Sequence, residues 1–349
     1  MGGRVVGGPW RSPRPLLVGA CAFALLLVFA MRVDAQKPVP AAMPAGPGDA
    51  AGLVDIGGGR RLYLECRGTG SPTVVLEAGY RSPATVWSED LVQPELPRTM
   101  VFQGVAAFTR VCLYERPGVA ALLENGLQPS RSDPVPQPRA AESVVADLHA
   151  LLQVAGVPGP YVLVGHSLGG LFVRLYAATY PDEAAGLVLV DAWYEGLEQL
   201  LTAEDWAAYV RLNSAVPPEL ASYADLETLD FAAASATMRR AAAAQPLPPL
   251  PLTVLAHGQP FGLPEEALGF SPAALEAAWR AAQTQLAALV PGARFEVATE
   301  SAHYIQLEQP DLVIDAVRQV VDDVRRTRGG RSHQLDRPMA VRPETEGGA

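Results

Sequence analysis

Apolar residues along this chain come in short unbroken blocks separated by stretches of helical spacing. The blocks at residues 73–77, 111–114, 161–164, 186–190 and 252–256 are too short for helices and do not alternate with polar residues, and 294–297 reads as a further strand. That is the signature of strands buried on both faces. Between them, Val144, Val145, Leu148, Leu151 and Leu152 recur at helical spacing over 140–155. Leu168, Leu171, Phe172, Leu175 and Tyr176 do the same ahead of Pro181. Residues 273–289 and 312–324 read as two further helices, and 53–56 and 61–66 flank Gly57-Gly58-Gly59 as a hairpin. Strands alternating with helices require a mostly parallel, doubly wound α/β sheet covered on both faces.

The pattern breaks in four places. Residues 193–250 are Ala-rich and helical, begin with Trp193, Tyr194, Trp206 and Tyr209, and close in a stiff Pro-rich run at 246–251. They read as a helical cap inserted into the sheet domain at 52–328. Residues 36–51 read as a Pro/Ala/Gly linker, and 329–349 as a polar, disordered tail. At the front, Arg4, Arg11 and Arg14 precede an uncharged apolar run over 16–31, and Val33 and Ala35 suit a cleavage site before Gln36. Residues 1–35 therefore read as an export signal, or as an N-terminal membrane anchor where uncleaved.

Composition narrows the classes of partner. The chain has 349 residues, 49% hydrophobic and 18% charged, so it can bury a large core. Its net charge of -10, with no basic block in its body, argues against nucleic acid as a partner. Membrane contact is expected only through an uncleaved N-terminal segment. With the signal removed, Cys66 and Cys112 remain, each in a strand-like run. Either they pair in an oxidising compartment or they are two buried free thiols.

The chemistry is concentrated at Gly165-His166-Ser167-Leu168-Gly169, which follows the strand at 161–164 and opens a helix. A serine at the centre of so sharp a turn projects its hydroxyl above the sheet edge, beside a helix N-terminus that favours developing negative charge. Together with Leu76-Glu77-Ala78-Gly79, Tyr114-Glu115-Arg116-Pro117-Gly118, residues 187–191 and Ser301-Ala302-His303-Tyr304, it resembles the α/β-hydrolase family over about residues 52–326. The resemblance implies an eight-stranded, mostly parallel sheet with the cap entering after the sixth strand. It also implies that the strands carrying Cys66 and Cys112 are neighbours, which favours their pairing.

A serine hydroxyl needs a base to become a nucleophile. Of five histidines, His149 lies on a helix, His166 is directed away by the turn, and His333 is in the tail. His257 ends the strand at 252–256 and competes. His303 lies in the loop after the last strand, the place expected from the order Ser, acid, His. For the acid, relatives usually use the loop after the seventh strand, where this chain offers only Glu265 and Glu266. The end of the sixth strand offers Asp191, the leading candidate, with Glu195 a further alternative. The oxyanion donors expected are the backbone N–H groups of Leu168 and Tyr80, with Arg81 or Glu77 bracing that loop. Glu115 and Arg116 read as a structural turn.

The leading expectation is hydrolysis of a carboxylic ester on a small acyl-bearing substrate, through an acyl-enzyme and without metal or organic cofactor. Amidase, thioesterase or acyltransferase chemistry would use the same three residues. A non-catalytic binding protein that kept the fold is the alternative from another class, and labelling of Ser167 by a fluorophosphonate discriminates it.

Overall fold

The computed structural model describes residues 48–123, 126–262 and 271–335. Its frame is an eight-stranded sheet in the order β1-β2-β4-β3-β7-β8-β9-β10. The strands are β1 (Ala50–Asp55), β2 (Arg61–Arg67), β3 (Thr73–Glu77), β4 (Val111–Tyr114), β7 (Tyr161–His166), β8 (Ala184–Val190), β9 (Leu252–His257) and β10 (Arg294–Ala298). β1 and β2 form an antiparallel hairpin, β2 pairs antiparallel with β4, and every pairing from β4 to β10 is parallel. A separate hairpin, β5 (Ala120–Leu123) with β6 (Gly126–Pro129), lies in the segment between β4 and the next helix.

Helices cover both faces. α2 (Ala141–Val154), α3 (Gly169–Thr179) and α7 (Pro272–Ala287) bury their apolar sides on Leu163, Leu187, Leu189, Leu252 and Val254. α1 (Val101–Ala106) and α9 (Pro310–Leu335) cover Val162, Val164, Val188, Val190 and Leu255 on the other face. Successive residues of β7, β8 and β9 thus feed two separate cores, as the period-two geometry of a strand demands. This is why those strands carry unbroken apolar runs.

The cap enters after β8, the sixth strand of the large sheet, and comprises α4 (Leu197–Leu200), α5 (Ala203–Ser214) and α6 (Phe231–Ala244). Thr202 and Asp230 cap α5 and α6 by accepting from the N–H groups of Asp205 and Ala233. A short α8 (Ile305–Glu308) precedes α9. No helix among the described residues is long and apolar enough to cross a membrane.

Two expectations need adjustment. The linker expected over 36–51 ends earlier, because Ala50 and Ala51 pair with Cys66 and Glu65 as the start of β1. The closing helix begins at Pro310 and runs to Leu335, past the expected disordered start at Gly329. Glycine costs an established helix only about 1 kcal/mol per residue, so Gly329-Gly330 does not end it. The signal or anchor over 1–35, residues 36–47 of the linker, and residues 336–349 lie outside the described residues.

Candidate active site

The carboxyl ends of β3, β7 and β8 converge where backbone strain is concentrated. Among the described residues, three that are not glycine adopt positive φ: Ser167 at 51°, Asp191 at 44° and Arg81 at 57°. Such conformations cost on the order of 1–3 kcal/mol each and persist only where the surrounding structure enforces them. Ser167 follows β7, Asp191 follows β8, and Arg81 lies four residues beyond β3.

The turn at Ser167 requires its glycines. A Cβ on Gly165 would stand 2.6 Å from the Gly169 carbonyl oxygen, and one on Gly79 would stand 3.2 Å from Ser167 Cβ. The loop after β3 is therefore packed directly against Ser167. The Ser167 N–H donates to the Val190 carbonyl (3.1 Å), and the Ser167 carbonyl accepts from Gly170 and Trp193 (2.9 and 2.8 Å). Every main-chain polar group of the turn's apex is thus committed, which fixes the side chain's direction.

His303 Nδ1 lies 2.5 Å from Asp191 Oδ2. Burial opposes charge on Asp191, but hydrogen bonds from His257 and His303 hold its carboxyl well below the usual carboxylate range. His303 Nε2, the nitrogen left for a substrate or for Ser167, is buried and has no protein partner among the described residues. Ser167, His303 and Asp191 are 5%, 2% and 0% exposed, so the cluster is shut away from bulk water. His166 packs its ring 4.6 Å from that of His303 and bonds through Nε2 to the His303 carbonyl (3.0 Å). Burial first, and the neighbouring His303 second, keep His166 neutral.

The expected oxyanion donors sit on either side of Ser167. Leu168 begins α3 with φ -58°, and neither its N–H nor that of Tyr80 donates to a protein acceptor among the described residues. Arg116 reaches under the β3 loop and donates to the carbonyls of Ala78 (2.9 Å) and Gly79 (2.6 Å). Because the two ends of a trans peptide point in opposite directions, the Tyr80 N–H faces away from Arg116.

Sequence reasoning placed Arg116 in a turn and missed its reach. Its guanidinium is buried between Glu77 and Glu227, with Nε 2.6 Å from Glu227 Oε1 and Nη1 in a short contact with Glu77. Glu227 belongs to the cap, and its Oε2 also accepts the Arg81 N–H at 2.6 Å. Arg81 in turn donates to the carbonyls of Glu227 (2.9 Å) and Ala215 (2.8 Å). Glu115, the other half of the expected turn, pairs with Arg131 instead.

Of the other acids, Glu195 is committed to Arg174 at 2.7 Å, while Glu265 and Glu266 lie outside the described residues. Among the cap aromatics, Trp193 and Tyr209 cluster with Phe231, whose ring meets Tyr80 at 5.3 Å. Tyr194 and Trp206 are only partly buried, and Trp206 stacks on Tyr209. His149 is occupied by Tyr180, stacked at 3.9 Å, and by Glu183.

His257 does more than sequence reasoning allowed. Its Nδ1 lies 2.8 Å from the same Asp191 Oδ2 that meets His303, and its Nε2 lies 3.0 Å from Glu276 Oε2. Asp191, His257 and His303 bring three potential metal-ligand atoms within 4.8 Å of one another. Both ring nitrogens facing Asp191 are at hydrogen-bond distance from one oxygen, however, so each proton lies where a metal would have to sit. The donor set fits a hydrogen-bonded chain better than a metal site.

A family model described as the alpha/beta hydrolase fold matches residues 126–248, which include Ser167 and Asp191. This chain has the α/β-hydrolase fold. An AB hydrolase superfamily protein of Gibberella zeae is 22% identical over 324 residues, covering 78% of this chain and 94% of that protein. An uncharacterized protein of Schizosaccharomyces pombe is 34% identical over 149 residues, covering 38% of this chain and 26% of its own length. The chain spans about a quarter or less of the first four curated relatives it matches. Mouse alpha/beta hydrolase domain-containing protein 10 superposes with a TM-score of 0.51 at 15% identity, covering 78% of this chain and 98% of that one. This last likeness establishes the shared fold.

Proposed function

We propose that this α/β-hydrolase cleaves carboxylic esters of small or medium-sized substrates through an acyl-enzyme on Ser167. The observation that carries the reading is the strained Ser167 at a strand–helix turn, beside an Asp191–His303 pair 2.5 Å apart. Ser167 Oγ attacks the carbonyl carbon as His303 Nε2 takes its proton. Asp191 keeps the Nδ1 proton in place and supports the imidazolium. The carbonyl oxygen becomes an oxyanion, which the N–H groups of Leu168 and Tyr80 stabilise, each donor lowering the barrier by about 3 kcal/mol. Its collapse expels the alcohol, which leaves with the proton from His303. Water then attacks the acyl-serine with His303 again as base, releasing the acid and restoring Ser167.

The same steps serve amides, thioesters or transfer to another alcohol, and substrate breadth decides among them. The Cys66–Cys112 disulfide, between registered residues of β2 and β4, supports export to an oxidising compartment. A ladder of p-nitrophenyl esters, short to long, given to the protein and to its Ser167→Ala variant tests the reading. Turnover that falls by about 10³-fold or more in the variant is expected, and the best chain length sizes the acyl pocket. Equal inactivity of both on every ester, with no fluorophosphonate labelling of Ser167, would leave a non-catalytic binding fold in its place.

A further inference from the structure

Behind Asp191 lies a second imidazole that the reaction above does not use. His257 donates its backbone N–H to Asp191 Oδ1 (3.2 Å) and directs Nδ1 to Asp191 Oδ2 (2.8 Å). Its other nitrogen meets Glu276 Oε2 on α7 at 3.0 Å, while Glu276 Oε1 is held by the Phe261 N–H at 2.6 Å. An ionised carboxylate only accepts hydrogen bonds, and a neutral imidazole has only one N–H. An imidazole engaged by ionised carboxylates at both nitrogens carries both protons, so the geometry fits a cationic His257. Its side chain is 6% exposed, so water does little to screen that charge.

We propose that His257 and Glu276 act as positioning residues, a fixed cation held between two carboxylates that limits how far Asp191 stabilises a proton on His303. The proposal rests on the reading of His303 as the general base. The four groups run Glu276, His257, Asp191, His303, with charge −, +, − and then either neutral or +. Asp191 shares one oxygen between two imidazoles, so part of its field is already committed when His303 takes the proton from Ser167. The cation on His257 thereby opposes a second positive charge on His303.

Among the described residues, the groups facing the pair can be named. Around His257 stand Asp191 at the end of β8, Glu276 on α7, His303 in the β10–α8 loop, and the uncharged ring of Phe261 at 4.6 Å. Around His303 stand Asp191, neutral His166, and the rings of Phe261, Trp279 and Tyr304. Burial works against a charge on His257, but the hydrogen bonds to Asp191 and Glu276 outweigh it and raise its pKa to about 10.

Two measurements test this. In ¹⁵N spectra of the histidine-labelled full chain, assigned against His257→Gln, both His257 ring nitrogens should be protonated at pH 8. In Glu276→Gln the loss of that cation should move to lower pH. In kinetics on a p-nitrophenyl ester, His257→Gln should shift the acid limb of kcat/KM upward by about one pH unit. A His257 that is neutral at pH 8 in the wild type, or an acid limb that stays in place in a folded His257→Gln, overturns the proposal. Failure of the serine-hydrolase reading looks different: Ser167→Ala would match wild type, whereas the ¹⁵N result does not depend on turnover.

Discussion

Ser167 and Asp191 adopt backbone conformations that their side chains do not favour, and Asp191 also owes its charge to the two imidazoles it meets. The same hydrogen bonds couple the site to folding. His257 has its pKa raised from an ordinary 6.5 to about 10 in the folded chain. Its contribution to stability is therefore fully present below pH 6.5 and is lost as the pH climbs through about 10. Asp191 shifts downward from an ordinary 3.8, so its contribution is present above that pH and is lost as acid protonates it. Both act together between about pH 4 and 6.5. Melting temperature measured from pH 6 to 10 should fall more steeply for wild type than for His257→Gln. Parallel slopes would mean that His257 is not charged in the folded protein.

At the scale of elements, the cap is built into the machinery beneath the nucleophile's neighbour loop. Glu227, four residues before α6, fastens the Arg81 backbone and the Arg116 guanidinium, and Arg116 fastens the Gly79 peptide whose far side carries the Tyr80 N–H. A loosened cap would therefore loosen the Tyr80 N–H, one of the two proposed oxyanion donors. Glu227→Gln keeps the shape but weakens both charge-assisted bonds. It should lower kcat about 10- to 100-fold with little change in KM, since one donor is worth about 3 kcal/mol. Steady-state kinetics on the preferred ester decide it, and a change confined to KM would place Glu227 in substrate binding instead.

The whole molecule is held by two cores on either side of one sheet, and at the hairpin end by a covalent tie. Cys66 and Cys112 face each other across β2 and β4 and are joined, with a sequence separation of 46 residues. Closing a loop of that length removes unfolded-state entropy worth up to about 4 kcal/mol. The Cys66→Ala/Cys112→Ala double variant should lose about 2–4 kcal/mol in urea unfolding while keeping ester activity when folded. Unchanged stability would show that the bond adds nothing in solution.

Much of this architecture is legible in the amino-acid sequence. Unbroken apolar runs of strand length mark strands covered on both faces, so the sheet and its covering helices follow from patterning. The Gly165–Gly169 turn needs its glycines for a close approach that sterics alone enforce, so Ser167 stands out, as does His303 by its place in chain order. What local sequence cannot express is which side chains meet across long separations. Asp191 lies 112 residues from His303 and 66 from His257, yet it binds both because β8, β9 and the loop after β10 open on one sheet edge. Arg116 and Glu227, 111 residues apart, meet only because the cap folds back over β3. Periodicity reports the faces of an element; only the packing of strand ends and cap decides which charges share a buried space. In that space, desolvation makes each partner indispensable to the next.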